Sequence, residues 1–265
     1  IGLWDSATGG ADRILGGDAV GDYLPVETDP GSYMPYVVNF MVGDAAQMHT
    51  GTKGGADEIL GGAAVGVDTD AYNIMSGDAI DAYAGAALGN DVLTGGSAVA
   101  LGSSVENVIA GDGFFMRPGD GLSPATTTFG KDSLMGGSGT SGAEEGASNL
   151  MFGDLGLLLE PEMPPATDSG FMVGNVRGGD DTLVGGKHFA SNFLFGDAFL
   201  LESGARGGND TLVGGDVETD NWLVGDADYI GADSRGGNDR LVSGAGDDWM
   251  WGDAYSGNDG VGGAD

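Results

Sequence analysis

One stretch of this chain is written three times at a fixed interval, and that recurrence limits the fold more than any other feature. Arg206-Gly207-Gly208-Asn209-Asp210-Thr211-Leu212-Val213-Gly214-Gly215 is followed by Asn221-Trp222-Leu223-Val224-Gly225-Asp226. Nearly the same words return at residues 235–242 and 248–253, and they precede it at residues 177–186 and 192–197. From Asp181 to Asp210, and from Asp210 to Asp239, the step is 29 residues. A unit this short cannot bury an apolar face alone, so copies must stack on one another.

Two half-units alternate along the whole chain. The first, Asp-x-aliphatic-x-Gly-Gly with small variations, begins at Asp12, Asp57, Asp91, Asp132, Asp181, Asp210 and Asp239, with a degenerate copy at Asp259. The second, Asn-apolar-apolar-x-Gly-Asp, begins at Asn39, Asn73, Asn107, Asn149, Asn192 and Asn221, with Asp248 as a variant. Its closing acids are Asp44, Asp78, Asp112, Asp154, Asp197, Asp226 and Asp253. Steps of 34 in the first half (Asp44 to Asp78 to Asp112) predict longer edge loops there, which a stacked array tolerates.

Each half-unit predicts a short strand between glycine turns. Strand side chains alternate faces, so Ile14, Ile59, Leu93, Leu134, Leu183, Leu212 and Leu241 should point inward. Their counterparts are Met41, Met75, Ile109, Met151, Leu194, Leu223 and Met250. The second set is also apolar outward, at Phe40, Ile74, Val108, Leu150, Phe193, Trp222 and Trp249 and the neighbouring Val42, Phe152, Phe195, Val224 and Trp251. A bare ladder of that size invites association. Two covers are open: loops at residues 22–36, 113–123 and 155–165 folded back over it, or a partner subunit. Helices are nearly absent from this reading, the alanine-rich segment 78–88 serving as a loop or a single turn. No domain boundary is visible, so residues 1–265 read as one unit.

Composition narrows the function. Nine Lys+Arg against 41 Asp+Glu give a formal charge of −32, which repels nucleic acid and anionic lipid. No apolar run is long enough for a membrane helix, and with no cysteine neither disulfides nor thiolate sites are available. Ile1 opens without a basic n-region, so the chain reads as a mature or excised segment.

The chemistry lies on one edge. A single edge loop joins Asp226 to Asp239, which brings both acids to that edge, and successive strands lie about 4.8 Å apart. Stacked carboxylates at that spacing need cations. Oxygen ligands in pliant glycine turns suit Ca²⁺, whereas only His49 and His188 could serve zinc. Both histidines read as solvated. The candidate ligands are Asp12, Asp57, Asp91, Asp132, Asp181, Asp210 and Asp239, with Asp44, Asp78, Asp112, Asp154, Asp197, Asp226 and Asp253 as extra ligands on the same edge.

Gly-Gly-Asn-Asp-Thr-Leu-Val-Gly-Gly resembles the glycine- and aspartate-rich nonapeptide of the RTX, or hemolysin-type calcium-binding, repeats. The resemblance implies an all-β, right-handed parallel β-solenoid of about eight coils, with Ca²⁺ in the turns. It maps the motif's aspartate onto the first of the two series above, and implies type I secretion and an extracellular or cell-surface location. Coils of 29 residues exceed two nonapeptides, so calcium on one edge, with the second acid series as extra ligands, is this chain's own inference. The expectation is a non-enzymatic, self-associating building block of a filament, surface layer or matrix, joined through open ends and an apolar sheet face. The alternative is a calcium-folded module of a larger exported enzyme, toxin or adhesin. Gly137-Ser138-Gly139-Thr140-Ser141-Gly142 matches a dinucleotide fingerprint only by glycine abundance.

Overall fold

In a computed structural model, the described residues are 2–3, 7–20, 36–117, 126–140, 146–156, 170–257 and 260–265. Among them every regular element is a strand, and every strand pairing is parallel.

The first half-units make one sheet of seven three-residue strands, running Arg13–Leu15, Glu58–Leu60, Val92–Thr94, Ser133–Met135, Thr182–Val184, Thr211–Val213 and Arg240–Val242. The second half-units make another seven-stranded sheet of longer strands, from Tyr36–Val42 through Asp70–Ser76, Ser104–Ala110, Gly146–Phe152, His188–Phe195 and Val217–Val224 to Gly246–Trp251. Neighbours in each sheet are successive copies of the repeat, in register residue for residue: Leu134 pairs with Leu93 and Leu183, and Asn149 with Asn107 and Asn192.

A third sheet follows each Gly-Asp corner. Its strands are Gly2–Leu3, Ala45–Met48, Ala79–Tyr83 and Gly113–Arg117, then Phe171–Val173, Ala198–Glu202, Ala227–Ile230 and Ala254–Gly257. Leu155 bridges Gly113 to Ala198 and links the two runs. Thus the alanine-rich segment after Asp78 is a strand, and Phe114-Phe115-Met116 lies within a strand rather than a loop. Thr127–Thr128 and Val176–Arg177 pair in a further two-stranded sheet; otherwise the chain visits the three larger sheets in turn and then starts the next circuit one strand along.

Alternation places the core where the residue pattern requires it. Met41, Ile59, Met75, Leu93, Ile109, Leu134, Met151, Leu183, Leu194, Leu212 and Leu223 form one buried column between the first two sheets. Ile14 and Leu241 pack against it while partly buried, and Met250 is 49% exposed. Truncating Leu93, which is fully buried, should cost about 3 kcal/mol through lost transfer energy and a residual cavity. Urea denaturation of Leu93→Ala checks this.

The outward apolar ladder is covered in part by the third sheet, reached around the Gly-Asp corner. Ile74 and Val108 are buried with Phe114 and Phe115. Phe152, Phe195 and Val224 pack with Phe199, Trp222 and Trp251. Phe40, Phe193 and Trp249 stay exposed. Of the loops expected as covers, residues 22–35, 118–123 and 157–165 lie outside the described residues.

Glycine pairs at the turns allow the circuits to stack closely. At Gly89 a Cβ would run into the Gly55 carbonyl of the preceding circuit, so no other residue fits without separating the strands.

Candidate metal centre

The two aspartate series meet on one edge, beside the turn that carries the third sheet into the first. In the first series, one carboxylate oxygen of each residue accepts the backbone N–H of its counterpart one circuit earlier. Asp57 accepts from Asp12 at 2.6 Å, Asp91 from Asp57 at 2.6 Å, and Asp132 from Asp91 at 2.7 Å. Asp181, Asp210 and Asp239 continue the chain at 2.7–2.8 Å. The sequence separation behind these bonds varies from 29 to 49 residues, yet the bond itself is constant, because the variable loops lie elsewhere. Asp12, at the start of the series, is exposed.

In the second series each carboxylate accepts a glycine N–H from the Gly-Gly turn ahead. Asp78 takes Gly89 at 2.6 Å, Asp112 takes Gly130 at 3.0 Å, Asp154 takes Gly179 at 3.0 Å and Asp197 takes Gly208 at 2.7 Å. Asp44, Asp226 and Asp253 repeat the contact with Gly55, Gly237 and Gly263. Asp78, Asp112, Asp154, Asp197 and Asp226 have no solvent exposure, whereas Asp44 and Asp253 are half-buried.

In most of these carboxylates one oxygen is left without a partner, Asp112 being an exception with the Gly130 N–H shared between both of its oxygens. Buried oxygens with no hydrogen bond belong to Asp57, Asp91, Asp132, Asp181, Asp210 and Asp239 on one side. Asp78, Asp154, Asp197 and Asp226 supply them on the other. Burial of an unpaired, ionisable oxygen is costly unless a cation or proton compensates. Accordingly burial pushes Asp57 up to about 6, Asp91, Asp154 and Asp239 to about 7, and Asp226 to about 8. It drives Asp78, Asp112, Asp132, Asp181, Asp197 and Asp210 well above the usual carboxylate range, with neighbouring carboxylates adding to the effect, and backbone donors opposing it at Asp78, Asp132, Asp181 and Asp210.

Three groups bring carboxylate oxygens within 4.8 Å of one another: Asp12 with Asp44 and Asp57, Asp57 with Asp78 and Asp91, and Asp91 with Asp112 and Asp132. Each joins two residues of the first series to one of the second, so it spans two circuits. These aspartate clusters, the second and third of them wholly buried, could hold metal ions.

Asp265 extends the first series, accepting the Asp239 N–H at 3.0 Å. The sequence reading passed over it for Asp259, which lies outside the described residues. Gly262-Gly263-Ala264-Asp265 repeats the Gly-Gly-x-Asp spacing of residues 207–210, a signal that would have found it.

A second ladder lies across the core. Each asparagine of the second half-unit, buried from Asn73 to Asn221 and half-buried at Asn39, clamps the Gly-Gly turn of its own circuit. Asn107 Oδ1 accepts the Gly96 N–H at 2.9 Å, and its Nδ2 donates to the Gly96 carbonyl at 3.0 Å and to Asn149 Oδ1 at 2.9 Å. Links from Asn39 to Asn73, Asn73 to Asn107, Asn149 to Asn192 and Asn192 to Asn221 continue it.

Only one of the two histidines departs from the expectation that both are solvated. His188 opens a strand and is exposed, but His49 is 6% exposed and stacks on Tyr83 at 4.3 Å.

No family model, no curated protein and no solved structure matches the chain.

Proposed function

We propose that the three sheets wind as a right-handed parallel β-solenoid of the RTX type, that Ca²⁺ fills the aspartate edge, and that the chain serves as an extracellular structural element. Right-handedness follows from the strong bias of parallel crossover connections. The observation that carries the reading is the double column of buried carboxylates, each with one oxygen held by a backbone donor and in most cases the other unpartnered. Carboxylate oxygens gathered from two circuits in pliant glycine turns suit Ca²⁺, which accepts irregular oxygen cages, better than Mg²⁺, which demands a near-ideal octahedron. Bound there, each ion would tie one circuit to the next, so folding and ion binding become one event.

A structural role is supported by repetition. The described strands all belong to the stacked sheets, and the edge acids are engaged as ligand columns rather than as an isolated acid–base pair. Self-association is supported by the exposed Phe193 and Trp249, which flank Trp222 on the outward face at centroid distances of 6.4 and 5.9 Å.

Circular dichroism with light scattering, during EDTA treatment and Ca²⁺ return, tests both halves. Loss of β signal in EDTA and its return with large particles is the expected result. Return as a persistent monomer would replace the assembly by the calcium-folded module. Calcium-free protein with an unchanged spectrum at pH 8, verified by elemental analysis, would reject the ion columns.

A further inference from the structure

Four of the chain's nine lysines and arginines line a single groove. The groove, of about 540 Å³, runs along the outside of the glycine turns. Arg177, Arg206 and Arg235 occupy the same position in successive circuits and bridge one another in parallel register. Their backbones are fixed: Gly178 donates to the Arg206 carbonyl and Gly207 to that of Arg235, both at 2.8 Å. All three side chains are exposed, and Lys131 stands nearby.

This column is improbable as mere surface decoration. Like charges directly opposed on neighbouring strands repel, and 41 acidic residues offer ample alternatives for pairing. Yet among the described residues the ion pairs are Arg13 with Glu58 and Arg117 with Asp81. None of the three arginines has a carboxylate partner there. An anion from outside the chain would relieve their repulsion, and a column at strand spacing suits an extended ligand better than a single small ion.

The facing wall indicates the rest of the ligand. Asn209 Nδ2 donates to Asp180 Oδ1 at 2.8 Å, and Asn238 Nδ2 to Asn209 Oδ1 at 3.0 Å. Each amide spends one side-chain N–H in this way and has a second for a neutral acceptor. Between the walls, the glycine floor lets a ligand approach the backbone. The groove's aromatic residue, Phe129, is only 8% exposed and offers no face for stacking bases.

We propose that the groove, a local basic column on a chain whose net charge otherwise repels polyanions, binds a linear acidic glycan, with carboxylate or sulfate groups on the arginine column and hydroxyl groups on the amide wall. Guanidinium forks match both acid groups in bidentate geometry. The groove shares its glycine floor with the aspartate columns, since Gly179, Gly208 and Gly237 donate to Asp154, Asp197 and Asp226, so binding is compared with the columns in one calcium state.

Titration calorimetry of the whole chain in calcium buffer, with hyaluronate oligosaccharides, dextran sulfate and neutral dextran, tests the site. At least one polyanion should bind, more weakly as salt rises, and the preferred arm identifies the acid group. The triple variant R177Q/R206Q/R235Q should bind about tenfold more weakly or worse, with an unchanged circular dichroism spectrum. Asp180→Asn, which removes a negative charge from the groove, should bind a few-fold more tightly, a gain that misfolding cannot imitate. Failure of both polyanions to bind, equal binding of neutral dextran, or undiminished binding by the triple variant overturns the proposal. So does a triple variant that alters particle size while binding glycan normally.

Discussion

In EDTA at pH 8 the chain should lose its β-sheet circular dichroism, and in the same EDTA at pH 5 it should keep it. This is the reverse of ordinary acid denaturation, in which native carboxylates held below their free pKa must be protonated. Here burial raises Asp57 to about 6 and Asp226 to about 8, against an ordinary 3.8. Raised folded-state values mean that, without cations, the folded chain holds protons that the unfolded chain releases. The stability they contribute is complete below about pH 4 and drains away as pH climbs through the range from about 6 to about 8.

The magnitude is large. For Asp226 alone, a shift of about four units corresponds to something on the order of 5 kcal/mol at high pH, comparable to the whole stability of many domains. Several such residues stand in each column, so the metal-free fold should fail at pH 8. Adding Ca²⁺ at pH 8 should restore the spectrum, because the ion takes the place of the protons. Calcium affinity should therefore fall as pH is lowered from 8 to 6, measured by titration calorimetry. A chain that unfolds at pH 5 and persists at pH 8 in EDTA would show that the columns are not desolvated carboxylates.

Much of this arrangement is written in the residues, and the parts that are not have physical reasons. The core column from Ile59 and Leu93 to Leu223 follows from strict two-residue alternation. The meeting of Asp226 with Asp239 follows from the single loop between them, and Asp239 does press on Asp226 electrostatically. The third sheet was not legible. Its strands read Ala-Ile-Asp-Ala-Tyr or Ala-Phe-Leu-Leu-Glu, with neither alternation nor consistent β-branching. They are extended because bonds such as Ala79 N–H to the Asp112 carbonyl, at 2.9 Å, bind them to the next circuit, a case of context overriding propensity. That sheet carries Phe114, Phe115 and Phe199, so missing it also hid what covers the outward ladder. For the asparagines, position was legible and role was not. Asn107 lies two residues before Ile109 and must share its inward face, but its partner Gly96 is 11 residues back.

Replacing Asn107 with alanine should destabilise the chain by about 4 kcal/mol, the largest loss expected from any single change away from the acids. The side chain has no exposure, so water cannot take over its bonds. Its removal strands the Gly96 N–H and carbonyl, each of which has Asn107 as its side-chain partner. A buried backbone group left unpaired costs about 1–3 kcal/mol. It also breaks the relay in which Asn73 donates to Asn107 and Asn107 to Asn149, at 2.9 Å each. Asn107→Asp should fare little better, since a carboxylate can receive the Gly96 and Asn73 donors but cannot supply those taken by the Gly96 carbonyl and Asn149. Asp248 tolerates that exchange, accepting from Asn221 at 2.6 Å, because it is only half-buried. Urea denaturation in saturating Ca²⁺ measures the loss for both variants. A cost below about 1 kcal/mol for Asn107→Ala would mean that the glycine turns hold their shape without the ladder, leaving the edge ions and the aliphatic column as the ties between circuits.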